Sequence, residues 1–145
     1  MSGSPGPARG RFLSGGCAIG FAAVRRYTPG MNDELANRHC KPCEGGVDPL
    51  TREQAEALLE SLHPDWTLSD DGLVISRRFD FPAYSRTLGF ANAAAWIAIT
   101  EGHHPVLKVS YGSCDVSYTT HAVDGLTDND FICAAKTDRL VSEGQ

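Results

Sequence analysis

No stretch of this chain approaches the roughly 20 consecutive apolar residues that a bilayer crossing requires, so the sequence offers no candidate spanning helix. No acidic residue occurs before Asp33, whereas Arg9, Arg11, Arg25 and Arg26 all do. Taking these four arginines from the formal net charge of -5 leaves -9 for residues 33–145. That body lacks a basic stripe with which to neutralise phosphates, which disfavours direct nucleic-acid binding and favours a small molecule or a protein as partner. The five cysteines, Cys17, Cys40, Cys43, Cys114 and Cys133, lack the even count and regular spacing of a disulfide framework and suggest a reducing compartment. Cys40-Lys41-Pro42-Cys43 has no second pair and no strand before it, so it reads as unligated and unpaired.

What is present suffices for one domain. A chain of 145 residues, 41% hydrophobic and 21% charged, can bury a modest core. Residues 1–39 read as a flexible extension and 40–145 as the domain. For the first thirty residues, rich in Gly, Pro, Ser and Arg, two readings compete. One is an organellar transit peptide; the other is upstream sequence before a natural start at Met31, favoured because the glycines and prolines weaken any helix. The second reading implies a cytoplasmic protein, the first an organellar one.

Along the body, Thr51-Arg52-Glu53-Gln54 has the form of a capping box. Ala55, Leu58, Leu59 and Leu62 follow at helical spacing and predict a helix over about 52–62. Trp66-Thr67-Leu68 reads as a short strand, Ser69-Asp70-Asp71-Gly72 as a turn, and the alternation Leu73, Ile75, Phe79, Phe81 as a half-buried strand. Pro82 opens a second helix that runs through Tyr84, Leu88, Ala91, Ala95 and Ile99 along one face and stops at Gly102. Leu107, Val109 and Tyr111, then Cys114, Val116, Tyr118 and Thr120, alternate on either side of a turn at Gly112-Ser113. Thr127-Asp128-Asn129-Asp130 starts a last helix, with Phe131, Ala134, Ala135 and Leu140 as its buried stripe. The order α-β-β-α-β-β-α predicts an α+β fold, a four-stranded antiparallel sheet with helices packed on one face.

Three histidines fall at the junctions of this plan. His103 and His104 lie just past a helix end, and Pro105 biases His104 towards extended geometry. The hairpin that follows is of a length to return His121 to their level. Imidazole donates or accepts a proton near neutrality, so three at one place suggest acid-base chemistry. Singly, each also reads as a satisfied loop histidine. A zinc site is the sharper rival, disfavoured because adjacent histidines rarely direct both rings at one ion without strain, so no metal is expected. His39 and His63 read as surface residues, and Phe79, Phe81, Phe90 and Trp96 as core or subunit interface.

Glu101-Gly102-His103-His104-Pro105, Tyr111, Thr120-His121, Gly125-Leu126-Thr127, Asp130 and Ala134-Ala135-Lys136 resemble the pterin-4a-carbinolamine dehydratases. Cys40-Lys41-Pro42-Cys43-Glu44-Gly45-Gly46 looks like the amino end of bacterial-type members, and the resemblance covers about residues 40–142. It implies dehydration of a 4a-hydroxytetrahydropterin, such as 4a-hydroxytetrahydrobiopterin, to the quinonoid dihydropterin in tetrahydrobiopterin recycling. By the same resemblance His103, His104 and His121 are catalytic, while Glu101, Pro105 and Asp130 contact the substrate or support the site. Pterin is then the substrate and no cofactor is required. Where some relatives carry an acid after His-His-Pro this chain has Val106, and where others carry one before the pair it has Gly102. Homodimers or homotetramers are implied as well. So is an alternative in which the same fold serves as a non-catalytic dimerisation or chaperone module.

Overall fold

The computed structural model describes residues 29–43 and 46–142. Its elements are α1 (Pro29–Ala36), α2 (Arg52–Leu59), β1 (Thr67–Leu68), β2 (Ile75–Asp80), α3 (Tyr84–Glu101), β3 (Val106–Val109), β4 (Ser113–Tyr118), a 3-10 turn (His121–Val123) and α4 (Asp128–Ser142). The strands form one antiparallel sheet in the order β1-β2-β4-β3, so α3 carries the chain from β2 past β4 to the far edge. This is the predicted α+β architecture.

Local chemistry explains the element ends. Thr51 accepts from the Gln54 N–H while the Gln54 side chain accepts from the Thr51 N–H, the reciprocal pair of a capping box. The Ser69 hydroxyl organises the β1–β2 turn by bonding Asp71 and accepting from the Leu73 and Val74 N–H groups. Gly72 there adopts φ 76°, open to glycine at little steric cost.

Register puts one face of the sheet into the core. Ile75 pairs with Tyr118 and Phe79 with Cys114, and these four, with Val116, are buried beside Phe90 of α3 and Phe131 and Ala134 of α4. The Phe79 and Phe90 rings lie 4.5 Å apart. Ser76, Arg78, Asp115 and Ser117 occupy the alternate positions and stay partly or fully exposed, as a period of two requires.

Two expectations need correction. The extension does not run to residue 39: α1 lies within it and packs on α4, with Leu35 and Ala36 in the core. Its sequence opens on Pro and Gly and offers few apolar side chains, too weak a period to read. The expectations for residues 1–28, including the transit peptide, fall outside the described residues. Along α3, the buried face is Thr87, Phe90, Ala91 and Ala94, whereas Tyr84, Leu88 and Ile99 are exposed. Trp96, expected in core or subunit interface, is 65% exposed and so lies outside this chain's core, which leaves the interface expectation untested. Helix α3 is apolar on more than one side, so periodicity alone could not choose its inner face.

Candidate active site

Gly102 ends α3 in the left-handed conformation, φ 66° and ψ 25°, and its N–H bonds the Ala98 carbonyl. That reversal delivers His103 and His104 to the start of β3. On the returning side Thr120 and Gly125 form an isolated bridge, which closes a loop carrying His121 on its 3-10 turn. Two adjacent pairs of residues, 103/104 and 120/121, therefore meet across the base of the hairpin.

The inner members meet through a buried carboxylate. Asp130, fully buried, takes His103 Nε2 at 2.7 Å on Oδ1, and on Oδ2 the Thr120 hydroxyl at 2.7 Å and the Thr127 N–H at 2.9 Å. Because Thr120 gives its one proton to Asp130, the Thr127 hydroxyl, 2.9 Å away, donates to Thr120. A carboxylate that only accepts fixes the proton of neutral His103 on Nε2 and leaves Nδ1 with the free lone pair. The His103 ring stacks on Tyr118, centroids 6.0 Å apart and planes 12° from parallel. Only 11% of its side chain is exposed.

The outer members face one another in the open. The His104 and His121 rings lie 6.1 Å apart with a 30° tilt, and both residues are exposed. Pro105 leads directly into β3. Among the described residues, no group of three or more His, Cys, Asp or Glu side chains is arranged to hold a metal ion.

Glu101 has a different neighbourhood from the one expected. Its carboxylate bonds the Cys40 N–H at 2.9 Å, His39 Nδ1 at 3.2 Å and Lys136 Nζ at 3.1 Å, anchoring the segment before α2 rather than meeting the three imidazoles. Burial works to raise its pKa, but the Cys40 N–H, Lys136 and His39 outweigh burial and hold it below the ordinary carboxylate value. A lowered folded-state pKa stabilises the fold above the unfolded value of about 4.3, and that contribution is lost as pH falls through the folded value. Glu101→Gln is thus expected to cost about 1–3 kcal/mol at neutral pH. Urea titrations of both chains should show the difference shrinking as pH falls below the unfolded value of about 4.3; a difference independent of pH would rule out the charge as its source.

The sequence reading singled out neither Tyr118, Thr120 nor Thr127 as parts of a site. Tyr118 and Thr120 read as strand positions and Thr127 as a helix cap, and only the fold shows that all three surround His103 and Asp130. His63 lies apart, 3.5 Å from Asp65.

With this geometry in hand, comparison with known proteins is decisive. The family model for pterin 4 alpha carbinolamine dehydratase matches residues 48–140. The chain belongs to that family. A Nitrosomonas eutropha protein that carries the name pterin-4-alpha-carbinolamine dehydratase provisionally is 55% identical over 108 residues, covering 74% of this chain and 94% of its own. A Legionella pneumophila protein, provisionally named in the same way, is 47% identical over 111 residues, covering 77% and 98%. The crystal structure of a transcriptional coactivator/pterin dehydratase from Brucella melitensis superposes with a TM-score of 0.61 at 31% identity, covering 64% of this chain and 98% of that one. As in Brucella, so here the pterin dehydratase fold joins one antiparallel sheet to its helices.

Proposed function

We propose that this pterin dehydratase family member removes water from a 4a-hydroxytetrahydropterin by histidine acid-base catalysis and yields the quinonoid dihydropterin, the step that recycles tetrahydrobiopterin. The observation carrying the reading is the pairing of an Asp130-oriented His103 with two open imidazoles, His104 and His121, on adjoining segments. Hydroxide leaves a saturated ring carbon poorly. An acid must protonate the departing oxygen, and a base must take a ring nitrogen proton as the new double bond forms. The lone pair on pterin N5 expels the hydroxyl group, so the chemistry asks the protein only for one proton given and one taken.

His121, as imidazolium, is assigned the proton for the leaving oxygen. His103 Nδ1, kept free by the bond from Nε2 to Asp130, is assigned the base role, and the carboxylate faces the positive charge that results. His104, opposite His121, helps hold the pterin. No metal or further cofactor enters the scheme, and the compartment is assigned as the cytoplasm.

The test follows enzymatically generated 4a-hydroxytetrahydropterin by ultraviolet absorbance. The wild-type chain should speed its decay well above the spontaneous rate, while folded His104→Ala and His121→Ala chains fall most of the way back to it. A wild-type chain that adds nothing would hand the lead to the second reading, a non-catalytic interaction module.

That second reading draws on α3, where Leu88, Trp96 and Ile99 share an exposed side, with Tyr84 near its start. An apolar stripe of this kind marks a protein interface. In the enzyme reading the same stripe joins copies of the chain in a homodimer or homotetramer. Light scattering should give a mass above the monomer's 15.6 kDa, reduced by Trp96→Glu. A monomeric wild-type chain would remove the oligomer from both readings.

A further inference from the structure

The Cys40-Lys41-Pro42-Cys43 motif has no part in the proposed reaction, yet the fold holds it firmly against α4. Asn129 clamps the segment by accepting from the Lys41 N–H at 3.0 Å and donating to the Lys41 carbonyl at 2.7 Å. The Glu101 carboxylate adds the bond to the Cys40 N–H. This arrangement sets Cys40 Sγ 3.5 Å from Cys133 Sγ, although 93 residues separate them. Cys40 is half-buried and Cys133 wholly buried. The second thiol of the motif points elsewhere: Cys43 Sγ accepts from Asn129 Nδ2 at 3.1 Å and lies 4.0 Å from the Thr127 hydroxyl.

We propose that Cys40 and Cys133 form a reversible, peroxide-driven disulfide that staples residues 40–43 to α4, one turn beyond Asp130. The sulfurs need to close by only about 1.5 Å to reach bonding distance. Chemistry sets the order. The sulfur of Cys40, the half-buried residue of the pair, attacks an oxygen of hydrogen peroxide; the O–O bond breaks, leaving a sulfenic acid on Cys40 and releasing water. The Cys133 sulfur then attacks the Cys40 sulfur, the S–O bond breaks, and the departing hydroxide takes the Cys133 proton and leaves as water. Two thiols are oxidised to one disulfide, and hydrogen peroxide is reduced to water. A small thiol such as glutathione reverses the bond by exchange. The neighbouring Cys40 sulfur and burial both push the Cys133 pKa upward, so Cys133 waits as the thiol while Cys40 is oxidised first.

The inference does not depend on the dehydratase reading, and its test reads no activity. The full-length chain is reduced, treated with a few equivalents of hydrogen peroxide, and mapped by non-reducing peptide mass spectrometry with fragmentation that separates Cys40 from Cys43 and Cys133 from Cys114. The expected product is a Cys40–Cys133 link that dithiothreitol removes, with Cys114 still a thiol. Closing so long a loop should raise the Tm of the oxidised chain by roughly 10 °C. Cys43→Ser should keep both the link and the shift, and Cys40→Ser should lose both. A link from Cys40 to Cys43 or Cys17, further oxidation of Cys40 with Cys133 left as thiol, or no link at all would each overturn the proposal.

Discussion

An Asp130→Asn chain is expected to lose about 10²- to 10⁴-fold in kcat with little change in KM. The loss follows from proton placement rather than from size. In the wild-type chain every neighbour of Asp130 donates to it: His103 Nε2, the Thr120 hydroxyl and the Thr127 N–H. An asparagine has one oxygen and one NH₂. The Thr127 N–H can only donate, so the amide oxygen turns to it and the NH₂ group is left facing His103. His103 must then accept on Nε2 and carry its proton on Nδ1, the atom assigned as the base. Thr120 can adapt, since a hydroxyl both gives and receives. The check is steady-state kinetics on carbinolamine decay with His103→Ala alongside, which should fall by a similar factor. A large rise in KM at unchanged kcat would instead make Asp130 part of the binding surface, and the assigned proton route would fail.

The largest expected effect on stability lies at the other end of α4. Asp138 Oδ1 receives Trp66 Nε1 at 2.8 Å and Arg77 Nη1 at 2.6 Å, while Oδ2 receives the His63 N–H and Asn32 Nδ2, both at 3.3 Å. The Arg77 side chain is only 9% exposed, and its remaining ion-pair partner, Asp65, is 3.6 Å away and largely in water. Removing the carboxylate with Asp138→Ala strands a buried guanidinium and should cost about 3–5 kcal/mol, read from urea unfolding followed by tryptophan fluorescence. Asp138→Asn keeps an acceptor and should cost less. A loss below about 1 kcal/mol for Asp138→Ala would mean that water replaces the carboxylate and the network is not closed.

The pH response of this network runs opposite to that of Glu101. Burial pushes the Asp138 pKa up, and Arg77, Trp66 and the His63 N–H recover only part of the cost. A carboxyl group whose folded-state pKa is raised favours the fold below its unfolded value, and that favour is lost as pH rises through the folded value. Acid should therefore weaken the fold through Glu101, not through Asp138.

How much of this was legible in the sequence depended on whether a signal was local. The capping box at Thr51, the Gly102 stop and the two alternating hairpins depend on residues a few positions apart, and each appears in the fold close to where it was read. Helix α4 starts where Thr127-Asp128-Asn129-Asp130 predicted, but only half of a capping box forms. Asp130 reaches back to the Thr127 N–H, while the Thr127 hydroxyl turns to Thr120. The histidines were found by spacing and by resemblance. Asp130 was found by the same resemblance, but Thr120 and Tyr118 were not, because they look like any strand residues until α4 brings Asp130 beneath them. Glu101 was read by its position in the motif, and its partners Cys40 and Lys136 stand 61 and 35 residues away, where no periodicity reaches.

Sequence separation also bears on the order in which the molecule assembles. His103 and Asp130 are 27 positions apart, and Thr120 and Asp130 only 10, whereas Asn32 must find Asp138 across 106. Chain entropy makes short closures the easier ones, although the penalty grows only logarithmically with length. Residues 103–130 can thus gather around their hairpin while α1 is still searching for α4. The part of this chain to which proton transfer is assigned in the proposal is among the first that folding can complete, and α1 is a late cover drawn over the far side.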